Sequence, residues 1–162
     1  MEKFEDIYEK YYRKVYLFLL KLSGDSSLAE ELTQDTLFKA FLHIDQYEGR
    51  SSLYTWLCTI AKNNWLAEIK RKKEFVDTGM DPEINSGMNV ENEVLDRHMA
   101  ELIRKEIAHL PEPYGSVCAM KIYAELTYRE IAAEFQKSES WAKMTFFRGK
   151  TMLMERIVSS FL

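Results

Sequence analysis

The chain is poor in the residues that build tight turns, disulfide frameworks and membrane spans. Its 162 residues include six Gly, three Pro and two Cys, and it shows no strand-like alternation and no internal repeat. Cys58 and Cys118 lie in apolar helical stretches, so we predict buried thiols in a reducing, cytoplasmic protein. The longest apolar run, residues 15–20, is too short to span a bilayer. The first residues do not resemble a signal peptide, so we expect no membrane insertion.

The net charge of −4 is distributed unevenly along the sequence. Residues 1–74 carry 12 basic and 12 acidic side chains, residues 75–100 carry 1 and 6, and residues 101–162 carry 9 and 8. The excess negative charge therefore lies in the middle strip. Because attraction to phosphates depends on local cationic faces, either flanking segment could bind nucleic acid. The weak total charge predicts poor DNA affinity for the unaided chain.

Helical periodicity predicts three helices in residues 1–74. The first ends at Ser23-Gly24, the second begins with a capping box from Ser27 to Glu30, and Ser51 or Ser52 caps the third. Residues 44–52 form a loop, and the third helix runs into the basic cluster 70–73. The apolar positions predicted to face inward are Phe4, Ile7, Tyr8, Tyr11, Val15, Phe18, Leu19, Leu22, Leu28, Leu32, Leu37, Ala40, Phe41, Leu53, Trp56, Leu57, Ile60 and Ala61.

The periodicity fails between residues 75 and 92, where turn residues cluster. We therefore predict an all-α protein of two small helical domains, 1–74 and 93–162, joined by an acidic flexible linker, 75–92. The second domain begins with a helix ending at Leu110 and another starting at Pro113. A capping box at Thr127, a turn at Gln136 and a cap at Ser138 define the last two helices. The inner face of the last helix is predicted to be Ala142, Thr145, Phe146, Gly149, Met152, Leu153 and Ile157.

The two helices around Gln136 have helix-turn-helix dimensions, and in that motif the second helix enters the major groove. Lys143 and Arg148 lie off its inner face and can reach phosphates or guanine acceptors. An ordinary helix pair with a solvated face is the alternative, and Trp141 could equally pack against a neighbouring helix. The candidate DNA contacts here are Thr127, Arg129, Ser138, Ser140, Trp141, Lys143, Met144, Phe147 and Arg148.

The segment from Tyr47 to Lys73 offers a different DNA chemistry. Holding an unstacked base requires a stacking surface, polar groups that read its edge, and cations for the backbone. The spacing of Trp56 with Leu53 and Ile60 also fits a core residue, and residues 70–73 also fit a solvated helix end. The candidate contacts are Tyr47, Arg50, Ser51, Ser52, Tyr54, Thr55, Trp56, Lys62, Asn63, Lys70 and Arg71.

These segments, in this order, resemble bacterial RNA polymerase sigma factors of the extracytoplasmic-function group of the sigma-70 family. The resemblance covers nearly the whole chain and rests on the stretches SLAEELTQDTLFKAF, YEGRSSLYTWLCTIAKN, LPEPY and LTYREIAAEFQKSESWAKMTFFRGKTML. It implies a region 2-like domain in residues 1–74 and a region 4-like domain in residues 93–162. It also implies that the acidic linker threads the RNA exit path of the polymerase.

The resemblance further implies the role of each segment. Residues 32–41 would dock on the β′ clamp helices of core polymerase, with contacts from Glu31, Gln34, Asp35 and Phe38. The loop 47–52 would capture a flipped base of the −10 element, Asn63 would read its neighbours, and the last helix would read the −35 element. The expected partners are therefore core RNA polymerase, through its β′ clamp helices and β flap, promoter DNA and an anti-sigma factor.

The implied function is promoter recognition and initiation of DNA melting by a protein that is monomeric when free. We expect no enzymatic activity, cofactor or metal, because the histidines are scattered and no phosphate-binding Gly loop is present. The alternatives are a stand-alone helix-turn-helix transcriptional regulator, which needs strong unaided DNA affinity, and a helical adaptor. The chain departs from the usual family pattern at Gly115, Gln136, Trp141 and Thr145.

Overall fold

The computed structural model describes residues 3–77 and 91–161, and within those ranges every regular element is helical. The predicted all-α fold is therefore confirmed for this part of the chain. A 3-10 turn, Ile44–Gln46, follows the second helix. The α-helices are α1 Phe4–Ser23, α2 Ser26–Leu42, α3 Leu53–Asp77, α4 Glu91–His109, α5 Tyr114–Ile122, α6 Tyr128–Phe135 and α7 Glu139–Ser160.

The junction between α1 and α2 follows from two adjacent residues. Gly24 ends α1 in the left-handed conformation, with a φ of 72°, where a side chain would be strained. Asp25 then caps α2, because its Oδ1 accepts from the backbone N–H of Leu28 at 3.1 Å. The capping box predicted from Ser27 is therefore wrong. Asp25 comes two residues earlier and already satisfies a free amide of the first turn.

The core of the first domain is rotated slightly from the predicted one. Trp65 is only 2% exposed and was not predicted to be buried. Phe41 was predicted to face inward, yet it is 40% exposed and packs its ring against Phe4. One residue along a helix is a turn of about 100°, so Phe41 lies one step beyond the buried Ala40. For the same reason Trp56 is half-buried at the edge of the α3 core.

A buried amide joins α2 to α3. The Asn64 Nδ2 donates to Thr36 Oγ1 at 3.1 Å, and its Oδ1 accepts from Lys39 Nζ at 2.7 Å. Asn64 is 9% exposed, so these bonds replace the water that the amide would otherwise bind. The neighbouring Asn63 therefore points to a different surface and stays exposed.

The second domain confirms the predicted caps. The Thr127 hydroxyl accepts from the N–H of Glu130 at 3.1 Å, and the Glu130 carboxylate completes the capping box. The Ser138 hydroxyl accepts from the N–H of Trp141 at 3.0 Å and begins α7. Between them Gln136 ends α6 in the left-handed conformation, with a φ of 57°. The helix-turn-helix geometry expected around Gln136 is therefore present.

The segment between α3 and α4 is shorter at both ends than the predicted linker, residues 75–92. Helix α3 continues to Asp77 and helix α4 begins at Glu91, so each enters the predicted segment 75–92. Residues 78–90 of that segment lie outside the described ranges. The two domains also contact each other, because α3 packs against both α5 and α6.

Gly149 sets the closest approach in the second domain. It is buried on α7 where this helix packs against α5, and a Cβ built there would lie 2.6 Å from Cys118 Sγ. The predicted inner face of α7 is confirmed at Ala142, Phe146 and Leu153, which are buried. The spacing of α5 and α7 therefore depends on the absence of a side chain at position 149.

We expect Gly149→Ala to lower the free energy of unfolding by up to about 2 kcal/mol. The overpacking cost of about 1–3 kcal/mol is offset in part by a gain in helix propensity of about 1 kcal/mol. Urea unfolding of Gly149→Ala, Cys118→Ala and the double variant tests the contact. Removing Sγ should recover part of the loss, so the double variant should be more stable than the sum of the two changes predicts. Additive changes would contradict this account.

Candidate nucleic-acid interface

The loop before α3 is folded onto the first turn of that helix. The Tyr47 hydroxyl donates to the backbone carbonyl of Ser51 at 2.5 Å, and the Tyr47 and Trp56 rings lie 5.3 Å apart between centroids. Gly49 has a φ of 75° with open space around it, which suits a turn that only glycine adopts readily. The loop therefore presents two aromatic rings beside hydroxyl groups at one end of α3.

Two of the residues predicted to make polar contacts with DNA, Ser52 and Thr55, form the N-terminal cap of α3. The Ser52 Oγ accepts from the N–H of Thr55 at 3.1 Å, and the two hydroxyl oxygens lie 2.8 Å apart. The prediction that Ser52 could cap α3 is therefore confirmed. Thr55 is fully buried, so its hydroxyl completes the cap and is not presented to solvent in this arrangement.

A stripe along α3 extends from this loop. The stripe contains Trp56, Asn63 and Lys70, which follow one another at intervals of seven residues. This interval is close to two helical turns, so the three side chains lie on one side of α3 at steps of about 10 Å. Trp56 is half-buried, whereas Asn63 and Lys70 are exposed. We call the loop 47–52 together with Trp56, Lys62 and Asn63 the α3 face.

Two of the cations predicted to contact DNA here, Arg50 and Arg71, already have acidic neighbours. The Arg50 Nε lies 2.8 Å from a Glu48 carboxylate oxygen. Arg71 donates to Glu68 at 2.5 and 3.2 Å, and these hydrogen bonds raise the pKa of the Arg71 guanidinium. Both arginines are exposed, so a phosphate could replace the carboxylates at modest cost.

Tyr54 is half-buried on α3 and lines a cavity together with Tyr123 and Leu126 of the second domain. Its hydroxyl is hydrogen-bonded to the Cys58 thiol, and Lys14 Nζ lies 5.4 Å from its ring centroid. Burial raises the pKa of Tyr54 and raises that of Cys58 to about 12. Cys58 and Cys118 are both buried, as predicted.

The helix-turn-helix presents the predicted side chains on one open surface. Trp141 is the exception, because it is half-buried with its ring 5.4 Å from that of Phe135. Packing between α6 and α7 is therefore the main role of Trp141 in this structure. We call the exposed set on the last helix the α7 face: Ser140, Lys143, Met144, Phe147 and Arg148.

The departures from the usual family pattern have local explanations at two further positions. Thr145 is buried on the inner side of α7 at 5% exposure, so it is not on the α7 face. Gly115 is buried, and a Cβ there would lie 3.2 Å from the carbonyl oxygens of Ile107 and Leu110. Glycine at position 115 therefore lets α5 begin close to the end of α4.

A third surface lies on α2. Glu31, Gln34, Asp35 and Phe38 are all exposed and follow helical spacing on one side of the helix. We call these four residues the α2 face. Phe38 is 57% exposed and Leu42 beyond it is 55% exposed, which makes an apolar patch beside carboxylates. Patches of this kind are typical of protein-binding surfaces.

The second domain covers part of the α3 face, through residues that the sequence did not single out. Lys62 is 2% exposed and donates to the carboxylate of Glu112 and to Ser116 Oγ, the latter at 2.9 Å. Glu134 accepts from the hydroxyl groups of Ser51 and Thr59, the latter at 3.0 Å. These partners are at least 50 positions apart in the sequence, so no local pattern could have identified them.

A cavity lies where Glu134 meets the loop before α3. Its volume is about 260 Å³. Tyr47 and Trp56 form its aromatic side, and Ser51 and Glu134 its polar side. The aromatic pair and the Ser51 hydroxyl thus lie beside one cavity, and the carboxylate of Glu134 from the other domain forms one wall.

Other chemistries have little support in the described ranges. No cluster of three or more His, Cys, Asp or Glu side chains there could hold a metal ion. No helix in those ranges combines the length and the apolar character that crossing a bilayer requires. His43, His98 and His109 are exposed; His43 follows α2, and His98 and His109 lie eleven residues apart on α4.

Comparisons with known proteins agree with this geometry. Residues 7–75 match the family model for sigma-70 region 2. The chain is 29% identical over 150 residues to the ECF RNA polymerase sigma factor SigM of Bacillus subtilis, covering 92% of this chain and 91% of that protein. It is 29% identical over 165 residues to RNA polymerase sigma factor YlaC of the same organism, covering 98% and 94%.

A solved structure shares the fold. It is the sigma factor RpoE of Bartonella quintana, determined in complex with the anti-sigma factor NepR. The TM-score is 0.56 at 20% identity, and the match covers 95% of this chain and 96% of that one. At this identity the likeness concerns the arrangement of helices.

Proposed function

Because the chain belongs to the extracytoplasmic-function group of the sigma-70 family, we propose that it binds core RNA polymerase, directs it to promoters by reading −35 and −10 elements, and starts DNA melting by base capture. The observation that carries the proposal is the presence of three separate surfaces of suitable chemistry in a chain whose residues 7–75 match sigma-70 region 2. The α2 face, the α3 face and the α7 face lie on different helices, so one protein can contact polymerase and two DNA elements together.

The α2 face would dock on the β′ clamp helices of the polymerase. Phe38 offers an exposed ring, while Glu31 and Asp35 carry negative charge on the same side of the helix. An apolar anchor surrounded by charges gives both affinity and orientation in protein interfaces. A further contact of the second domain with the β flap would set the distance between the two DNA-binding domains.

The α3 face would capture a base of the −10 element. An extruded base could stack on Tyr47 or Trp56 beside the cavity, and the exposed amide of Asn63 could read a neighbouring base. Unstacking costs a few kcal/mol per base, which stacking at about 1–3 kcal/mol per base and the amide contacts could offset. The role requires no bond to be made or broken by the protein.

The α7 face would read the −35 element. Lys143 and Arg148 could donate to phosphates or guanine, and Met144 and Phe147 are exposed apolar groups that could contact thymine methyls. Lys150 lies 5.0 Å from the Phe147 ring centroid and adds positive charge beside it. An anti-sigma factor is a further proposed partner, since the RpoE of similar fold was determined with one. The proposed place of action is the cytoplasm, where polymerase and DNA meet.

Reconstitution with polymerase tests the proposal directly. We expect the purified chain to co-migrate with bacterial core polymerase lacking other specificity subunits, and to support run-off transcription from a genomic library at start sites that share two upstream elements. In gel-shift assays the free chain should bind those promoters weakly and the complex with polymerase should bind them tightly. Tight, specific binding by the free chain would instead favour a stand-alone regulator, and failure to co-migrate would refute the proposal.

We expect Lys143→Ala to weaken binding of the polymerase complex to its −35 element by about 1–3 kcal/mol if Lys143 contacts a base. Promoter gel shifts measure this loss, and Lys105→Ala, which removes an exposed lysine from α4, is the charge-matched control. Melting of a promoter that is already docked should be spared. Equal losses in the two variants would mean that Lys143 acts only through net charge.

We expect Asn63→Ala to impair open-complex formation more than polymerase binding. Loss of an amide contact to a base costs about 1–3 kcal/mol. Permanganate reactivity of single-stranded thymines near the start site should therefore fall several-fold, while co-migration with core polymerase is kept. Lys105→Ala again serves as the control. Unchanged permanganate footprints in Asn63→Ala would show that Asn63 does not read the melted strand.

A further inference from the structure

The outer side of α7 carries more apolar surface than the proposed DNA contacts use. Within the described ranges, the large apolar side chains that α7 and its cap expose are 50–62% accessible: Met144, Phe147, Met154, Val158 and Phe161. In a helix-turn-helix the first turns of the second helix meet the bases. Met154 and Phe161 lie about 10 and 21 Å beyond Phe147 along the helix. The later part of this surface therefore suits a different partner.

The exposed apolar side chains of α7 follow a heptad spacing. Together with the exposed Thr151 they succeed one another at alternating steps of three and four residues. This is the a and d pattern of a coiled-coil seam. The buried side chains of α7, such as Phe146 and Leu153, face the core of the second domain instead. We call the exposed set the α7 seam: Met144, Phe147, Thr151, Met154, Val158 and Phe161.

The shape of this surface fits another helix. An open groove of about 710 Å³ lies along the seam, and its lining residues, from Phe147 to Ser159, all belong to α7. A small-molecule site is concave and encloses most of its ligand, whereas a single helix offers only one wall. A second helix lying lengthwise would supply the other wall. If that helix is already folded, association does not have to meet the cost of forming it.

The charges beside the seam are self-complementary in one orientation. Arg148 and Glu155 are exposed and lie seven residues apart, both at the e position of the heptad. When two α7 helices pack antiparallel, e positions face each other, so Arg148 of each copy lies beside Glu155 of the other. Thr151 then packs on Met154 of the second copy. A parallel pair would instead bring Arg148 beside Lys143 and would bury two Thr151 hydroxyl groups face to face.

We propose that the α7 seam is a self-association surface, on which α7 of a second copy of this chain packs antiparallel to form a symmetric dimer. The resemblance to sigma factors implies a monomer when free, and the exposed, charge-matched seam favours the dimer. The dimer does not depend on the proposed function. Where that function holds, Met144 and Phe147 serve either the second copy or the −35 element, because both surfaces include them.

Sedimentation velocity of the full-length chain tests the dimer. The mean mass should rise from that of one chain toward that of two between roughly 1 and 100 µM, the range expected for a small interface. Val158→Asp places a carboxylate on the seam and should raise the dissociation constant at least about ten-fold. Met154→Gln, which keeps a good helix former, should change it in the same direction.

Ser160→Asp is the matched control, because it adds the same charge to an exposed position of α7 outside the seam. It should associate as wild type does. Circular dichroism should show that all of these variants keep their helix content, since each substituted position is exposed.

Charge reversal tests the orientation. Arg148→Glu and Glu155→Arg should each weaken association by about five-fold, since like charges would then face each other twice in the dimer. The double variant Arg148→Glu/Glu155→Arg should restore it. A parallel pair predicts that Arg148→Glu alone tightens association, because the new carboxylate would meet Lys143. That result would overturn the antiparallel arrangement.

Wild type that stays monomeric over the whole range, or Val158→Asp and Met154→Gln that associate as wild type does, would refute the dimer. If wild type is monomeric and Val158→Asp loses co-migration with core polymerase, the seam belongs to the polymerase contact and the dimer is again refuted. Sedimentation is measured without polymerase or DNA. Failure of the proposed function is therefore distinguishable from failure of the dimer.

Discussion

The arrangement of the whole molecule depends on one buried ammonium group. Lys62 lies on α3 and is covered by the second domain, where Glu112 and Ser116 accept hydrogen bonds from its ammonium group. A lysine charge cannot be left in such a place without an anion, since desolvation costs several kcal/mol. Lys62 therefore has two acceptable surroundings: paired with Glu112 when the domains meet, or exposed to water or phosphate when they separate. The same side chain thus couples the position of the second domain to the state of the α3 face.

The rest of the structure is consistent with domains that can separate. Within each domain the buried side chains are mainly apolar, with Phe18 and Trp65 in the first and Met120 and Ile131 in the second. The hydrogen bonds and ion pairs described between the domains instead involve lysine, arginine, glutamate and hydroxyl groups. Polar groups of this kind can be solvated on both sides after separation. The buried apolar residues of the two domains form one cluster, so separation would also expose apolar surface, which water disfavours.

How much the sequence could predict depends on the range of each interaction. The caps at Ser52, Thr127 and Ser138 were predicted correctly because a cap acts within three residues of itself. The second helix was less clear, since Asp25 and Ser27 are both good caps and only the backbone geometry chooses between them. Burial was predicted to within about one helical step, which is why Phe41 was assigned to the wrong side. The buried Trp65 lies beyond the last inward residue predicted on the third helix.

At the candidate site, the sequence indicated the local contacts but not the contacts between the two domains. Composition and spacing pointed to Tyr47 and Trp56, whose rings lie 5.3 Å apart between centroids, because they belong to one loop and the first turn of the next helix. Asn63 lies about two turns further along the same helix. Nothing local indicated that Lys62 and Ser51 would be covered by carboxylates from the other domain. Those contacts join positions 50 or more residues apart and depend on how two folded domains meet. A property set by the meeting of domains is not encoded in any short stretch of sequence.

Counting cations also overstates what the free chain can offer to DNA. Residues 1–74 carry equal numbers of basic and acidic side chains. Arg50, Arg71 and Lys62 each have a carboxylate neighbour, so part of this charge is also balanced locally. DNA contacts through Arg50, Lys62 and Arg71 must therefore displace a protein carboxylate, which reduces the net gain. Sequence-independent attraction is correspondingly weak. Useful affinity then requires that a larger partner hold both domains on the duplex at once, because linked weak contacts act at high effective concentration.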